Sequence, residues 1–266
     1  MTKQASQFVG SIPEHYDRCL GPRIFYEFAD HIAAKVAALN PEAVLELAAG
    51  TGIVTRRLRD AITSSCALTA TDLNQPMLNC AKNKFHKGEN IRFETADATQ
   101  LPFGESIFDT VVCQFGVMFF PDKQRSYQQV LRVLKPGGRY VFSVWDAWEH
   151  NPFAEIAHES VAEFFPGDPP GFYKVPFGYH DADAITQSLT RAGFSAVRTE
   201  LVNVTSAIPS AAEFATGLVY GNPLFMEITD RGGDPAKVCA AISAAIEDKL
   251  GDSMPLRALA IVAHKP

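Results

Sequence analysis

The residues best suited to chemistry stand where an apolar run breaks into a small-residue loop. Val44-Leu45-Glu46-Leu47 leads into Ala48-Ala49-Gly50-Thr51-Gly52, and a helical pattern begins at Ile53. Small residues at a strand-to-helix turn let a ligand lie against bare backbone, whose amides point at it. A tight turn without a ligand favours the same residues, so the loop alone leaves both readings open. Asp72 ends the next apolar run, some twenty residues on. A carboxylate there accepts hydrogen bonds from both hydroxyls of a ribose, and its charge strengthens them. The plainer role of starting the next helix falls better to Asn74, ahead of Gln75-Pro76-Met77. Asp97, closing Glu94-Thr95-Ala96-Asp97-Ala98, suits the exocyclic amine of an adenine, while the neighbouring amide at Ala98 reaches a ring nitrogen. Leu73 and Met77 offer apolar cover for that ring, Met being adaptable, although Met77 serves helix–sheet packing equally well. Gln114 is a polar break at the end of Val112-Cys113, placed either to face a reacting centre or to close a hydrogen-bonded turn.

A dinucleotide fingerprint needs a third glycine where this chain has Thr55, and a pyrophosphate loop wants the helix closer than that allows. S-adenosylmethionine carries no phosphate. It requires room for a methionyl tail, an acidic or dipolar lining for its ammonium and sulfonium charges, and an adenine pocket. Glu46 at the strand's end either faces the methionyl ammonium or braces the loop backbone, and both readings stand.

These residues need a scaffold that brings strand ends together. Short apolar runs alternate with helical patterns from Val44 to Trp145, the signature of βαβ units and a parallel sheet buried on both faces. Strands are predicted at 44–47, 67–71, 91–94, 108–113 and 139–145, and an amphipathic helix over 123–134. Lys135-Pro136-Gly137-Gly138 has the chemistry of a type II turn feeding the last of these strands. Phe25, Phe28, Ala29, Ile32 and Val36 recur at helical spacing upstream. Residues 151–193 are rich in Pro, Gly and aromatics, 206–253 read as helices with turns between them, and strands at 196–204 and 258–264 complete a seven-stranded sheet. One domain over 1–266 is expected, with a cofactor-binding core at 39–145 and substrate-facing cap segments at 146–194 and 205–256.

Composition narrows the partners. The formal net charge is -6, from 24 basic and 30 acidic residues without a dense basic cluster, so nucleic acid is not an expected partner. The five cysteines are widely spaced, which suggests neither a zinc site nor a disulfide framework, and no metal is expected. The opening residues lack a secretion-signal layout and no apolar run nears the roughly 20 residues that span a bilayer. A soluble cytoplasmic protein with no membrane partner is the expectation. No Gly-x-Ser-x-Gly, His-Glu-x-x-His or Walker loop occurs.

In order, these residues resemble the class I methyltransferases of the ubiquinone/menaquinone-biosynthesis type, the type 11 and type 25 methyltransferase domains. That family's loop reads acidic-x-Gly-x-Gly-x-Gly, and here Ala48 replaces the first glycine. The resemblance extends over Asp72-Leu73-Asn74, Met77-Leu78, Asp97-Ala98, Leu101-Pro102-Phe103, Phe108-Asp109 and Leu134-Lys135-Pro136-Gly137-Gly138. It implies a Rossmann-like α/β fold: seven mostly parallel strands with one antiparallel, helices on both faces and a helical cap. It also implies S-adenosylmethionine as cofactor, bound by Glu46, Ala48, Gly50, Gly52, Asp72, Leu73, Met77, Asp97, Ala98 and Gln114, with Tyr16 closing over it from the amino-terminal side. The expected acceptor is a small aromatic or hydrophobic molecule, held by a wall drawn from Trp145, Trp148, Phe153, Phe164, Phe165, Phe172, Tyr173, Phe177 and Tyr179. Methyl transfer mainly needs orientation and a dry cavity. Should a proton have to leave the acceptor, His150, His158 and His180 are the candidate bases, each also readable as a surface or structural histidine. Two alternatives remain: an NAD(P)-dependent oxidoreductase, disfavoured by Thr55, and a module that binds S-adenosylmethionine without transferring its methyl.

Overall fold

The computed structural model describes residues 6–266. Its seven strands are β1 (Ala43–Glu46), β2 (Ala67–Asp72), β3 (Ile91–Thr95), β4 (Phe108–Gln114), β5 (Leu134–Trp145), β6 (Ser195–Ala207) and β7 (Ser253–His264). They form one sheet in the order β3-β2-β1-β4-β5-β7-β6. β7 runs antiparallel to β5 and to β6, and the pairs among β1 to β5 are parallel. The chain winds outward from β1 to β3, then returns to lay β4 on the other side of β1. This reversal opens a crevice at the carboxyl ends of β1 and β4, where such sheets take ligands.

The amino-terminal side begins with a short helix α1 (Ile12–His15), a wider π-helical stretch Tyr16–Phe25 and the regular helix α2 (Tyr26–Ala37). The Tyr26 amide reaches back five residues to the Gly21 carbonyl. Pro22 lies within the wide stretch and has no amide to donate, so the regular ladder resumes only after it. Phe25 therefore ends the wide stretch instead of opening the helix, while Phe28, Ala29, Ile32, Ala33 and Val36 of α2 are buried as their spacing predicts. Helices α3 (Ile53–Ala61), α4 (Gln75–Lys82) and α5 (Lys123–Val133) are the connections between parallel strands.

The last three strands are longer than their apolar patterns suggest. β5 starts at Leu134 because the turn itself joins the ladder: Gly137 N donates to Lys265 O at 3.0 Å and Lys265 N to Gly138 O at 2.9 Å. Gly137, at φ +77°, follows Pro136, as the expected turn requires. β6 and β7 pair from Ala207 opposite Ser253 to Ser195 opposite His264. β6 is largely exposed, so polar residues there mask the strand period.

Five α-helices and β6 follow β5, with short 3-10 turns among them: α6 (Pro152–Ala162), α7 (Ala182–Ala192), β6, and then α8 (Ala211–Tyr220), α9 (Leu224–Asp230) and α10 (Pro235–Lys249) before β7. Phe153 of α6 packs on Phe214 of α8 with ring centres 5.7 Å apart, joining the helices before β6 to those after it. Among the described residues no helix is long and apolar enough to cross a membrane.

Candidate active site

The loop after β1 is stitched to both neighbouring strands. Leu47 N donates to Val112 O and Ala49 N to Thr71 O, both at 2.8 Å. Three of its residues take left-handed backbone: Ala48 at φ +52°, Gly50 at +56° and Gly52 at +79°. A side chain on Gly52 would put its Cβ 2.8 Å from that of Ala81, so this glycine sets how closely α3 packs on α4. Left-handed backbone costs an L-residue such as Ala48 about 1–2 kcal/mol. Its methyl occupies space that Gly116 leaves open, since a Cβ on Gly116 would stand 2.5 Å from it.

Asp72 ends β2 directly beside this loop. Its Oδ2 accepts from Gly50 N at 2.9 Å and its Oδ1 from Asn74 N at 2.7 Å. Burial pushes its carboxyl above the usual carboxylate range, and the amides of Asn74 and Gly50 oppose that shift. Asn74 Nδ2 also donates to Oδ1 at 3.3 Å, so backbone and side chain together fix the carboxylate, and Oδ2 keeps a lone pair for a ligand. Asn74 sits at the start of α4 but does not cap it through its side chain. Its Nδ2 donates to Ser6 O at 3.0 Å, tying the amino-terminal segment to the rim of the site.

These elements enclose a cavity of about 490 Å³, within the range that holds a small-molecule ligand. Ala48, Gly50, Asp72, Leu73, Met77, Asp97, Ala98, Gln114 and Tyr16 all line it. Asp72 and Asp97 are the charged side chains among the described lining residues, and both are acidic. Gln114 donates through Nε2 to Phe25 O at 3.3 Å, while its buried Oε1 has no partner among the described residues. Tyr16 stacks on Phe25 at 4.7 Å and meets Phe8 edge-on at 5.9 Å. Burial and the nearby Asp72 charge push the Tyr16 phenol well up, so it stays neutral.

Other sequence-predicted residues lie elsewhere. Gly52 supports the loop from behind and does not line the cavity. Glu46 is 2% exposed, lies against Thr55 beneath the loop and is likewise absent from the lining. Burial raises its carboxyl to about 8. None of the three histidines lines the cavity either. His150 is exposed on the turn after β5, His158 stacks on Trp148 at 5.3 Å along α6, and His180 is exposed just before α7. A titratable side chain in the right segment is not thereby turned inward. Of the expected aromatic wall, Trp145, Phe153, Phe172, Tyr173 and Phe177 line the cavity. Trp148 is taken up by His158, Phe164 is 42% exposed, Phe165 packs near Gly233, and Tyr179 shares a 2.7 Å hydroxyl contact with Tyr127.

The sequence reading also missed participants. Asp17 accepts from Thr51 Oγ1 at 2.6 Å and pairs with Lys84, clamping the loop from the amino-terminal side. Phe115 stacks face to face on Trp145 at 3.9 Å, with left-handed backbone at φ +53°. Leu218 and Met118 extend the apolar half, and Asn222 adds a polar side chain to it. Only contacts across the fold reveal these residues, apart from Gly116, whose place after Gln114-Phe115 hints at a sharp turn.

Comparison with known proteins agrees with this arrangement. Residues 44–138 match the family model described as a methyltransferase domain. The matched stretch carries β1 to β4 and the turn that opens β5, the strands that flank the crevice. The chain is 36% identical over 104 residues to a ubiquinone/menaquinone biosynthesis C-methyltransferase of Wigglesworthia glossinidia brevipalpis, covering 38% of this chain and 42% of that protein. It is 34% identical over 142 residues to a demethylmenaquinone methyltransferase of Thermotoga maritima, covering 52% and 60%. The chain thus matches about half the length of these relatives. Among solved structures, the YcgJ protein of Bacillus subtilis superposes with a TM-score of 0.58 at 19% identity, covering 88% of this chain and 98% of that one. A phosphoethanolamine N-methyltransferase of Haemonchus contortus, in complex with S-adenosyl-L-methionine, gives 0.58 at 16% identity over 97% and 60%. At these identities the structures share the fold.

Proposed function

We propose that the chain binds S-adenosylmethionine across the Ala48–Gly52 loop and transfers its methyl group to a small hydrophobic or aromatic acceptor held beneath the cap. The observation carrying this reading is the charge of the cavity: the charged side chains among its described lining residues are Asp72 and Asp97, beside a glycine-rich loop. That environment suits a ligand bearing sulfonium and ammonium charges and would repel the phosphates of a dinucleotide. Thr55, fully buried at the start of α3, fills the position a pyrophosphate-binding loop keeps for glycine.

When bound, S-adenosylmethionine supplies an electrophilic methyl whose leaving group needs no acid. Asp72 would accept from the ribose hydroxyls, Asp97 and the Ala98 amide would read the adenine, and Leu73 and Met77 would cover it. Gly50, with open space where a side chain would stand, leaves room for the methionyl tail. The unpartnered Gln114 Oε1 has an unused acceptor to offer at the carboxyl end of β4. Phe25, Phe115, Trp145, Phe153 and Phe177 keep water from the acceptor half. The family match ends at residue 138, before Trp145, Phe153, Phe172 and Tyr173, so the acceptor is argued from this chain's own lining.

Calorimetric titration of the purified chain with S-adenosylmethionine, S-adenosylhomocysteine and NADH tests the reading. Saturable binding of the first two and none of NADH is expected. Asp72→Ala should weaken S-adenosylmethionine by about 1.5–3 kcal/mol, the scale of hydrogen bonds to a charged group. NADH binding with no response to S-adenosylmethionine would overturn it.

A further inference from the structure

The acceptor half of the cavity is almost wholly apolar, and its polar exceptions are grouped. Phe25, Phe115, Met118, Phe153, Phe172, Phe177 and Leu218 contribute carbon surface, Trp145 adds an indole with one N–H donor, and Tyr173 and Asn222 contribute neighbouring side-chain polar atoms beneath the cap. Both residues are 4% exposed. Tyr173 Oη spends its single proton on Leu218 O at 2.8 Å. Burial pushes the phenol well up, so it remains protonated and offers a ligand only lone pairs. Asn222 Nδ2 donates to the same carbonyl at 2.8 Å, and its other hydrogen faces Tyr173 Oη across a long 3.5 Å. Asn222 Oδ1 accepts from Leu224 N at 3.0 Å. The pair therefore retains one free acceptor site on Tyr173 and one weakly engaged donor on Asn222, side by side.

We infer that Tyr173 and Asn222 form a specificity-determining reader for a neutral hydroxyl group on an otherwise apolar acceptor. This rests on the methyl-transfer reading of the same cavity. A hydroxyl fits both members at once, donating to Tyr173 Oη and accepting from Asn222 Nδ2. A carboxylate would meet the Tyr173 lone pairs with no cation to balance it, since no Lys, Arg or His is among the described lining residues. An ammonium would find no carboxylate in this half. A buried polar pair facing carbon surface discriminates strongly, because a ligand lacking the matching group leaves it unpaired on desolvation. Asn222 also ties the end of α8 to the start of α9, and Tyr173 bonds the same Leu218 carbonyl, so the hydroxyl is read at that joint.

The test is equilibrium binding of 4-ethylphenol and of its methyl ether, 4-ethylanisole, to the full chain saturated with S-adenosylhomocysteine. Wild type should bind the phenol roughly tenfold more tightly, the scale of one hydrogen bond. Tyr173→Phe, which keeps the ring and its packing, should erase that preference while leaving the S-adenosylhomocysteine affinity unchanged. Asn222→Ser is the companion variant, accepted only if its melting temperature stays near that of wild type. Equal affinity for the two probes, failure of the wild type to bind either, or a preference that survives Tyr173→Phe would overturn the inference. Binding of S-adenosylhomocysteine in those same samples separates such an outcome from failure of the methyl-transfer reading.

Discussion

The two ends of the cavity are built on different principles. At the sheet end, the site is made by backbone: three left-handed residues in five, amides bonded to Asp72, and glycines whose added carbon would collide with a neighbour. At the cap end, it is made by side chains, with rings from β5, α6 and the turns between α6 and α7 packed at centre distances such as 5.8 Å for Trp145 and Phe177. Backbone geometry admits few residue types, while ring packing admits many. On the proposed function, a scaffold divided in this way would keep the cofactor fixed at the sheet end while the acceptor varies at the other.

The contrast breaks most visibly at Gly52. Gly52→Ala should destabilise the fold by roughly 2–5 kcal/mol, combining left-handed strain with overpacking against Ala81. Chemical denaturation should show this as a lower midpoint at unchanged slope. A milder effect than that of a cap substitution such as Phe177→Leu would dissolve the distinction between the two ends.

Glu46 sharpens it through pH. Its buried carboxyl titrates at about 8 against an ordinary 4.5, so the native chain keeps a proton that the unfolded chain releases between those values. The stability linked to this group is fully present below about 4.5 and is lost as pH rises through 8. Glu46→Gln should remove that slope, gaining on wild type by an amount on the order of 3 kcal/mol between pH 5 and pH 8.5. Parallel unfolding curves at the two pH values would contradict it.

The smallest effects belong to the histidines. His150→Ala, His158→Ala and His180→Ala should each leave S-adenosylmethionine affinity within about 0.5 kcal/mol of wild type by calorimetry. A large loss from one of them would return that residue to the site.

The same division explains what could be read in the sequence. The loop, Asp72 and Asp97 were legible because strand ends in a parallel sheet recur at fixed intervals and the turn after β1 demands small residues. Gln114 was legible as a polar break in a buried run. Glu46 stays open between two roles in the sequence: alternation along a four-residue strand does not say whether the last side chain faces the cavity or the underside of the loop. The cap was legible as helices and as a surplus of aromatics, yet Phe164 and Tyr179 turn away from the cavity while Phe153 and Phe172 turn in. Asp17, Phe115 and Asn222 act through partners 34, 30 and four or more residues away, among them Thr51 for Asp17, Trp145 for Phe115 and Leu218 for Asn222. Local pattern carries little of that.

A crystal structure of the chain with S-adenosylhomocysteine tests the central claim most directly. The account predicts the ribose hydroxyls within hydrogen-bond distance of the Asp72 carboxylate, the homocysteine tail along Ala48 to Gly50, and the sulfur turned toward the aromatic half beneath the cap. Density for the ligand anywhere else, or a ribose out of reach of Asp72, would contradict it.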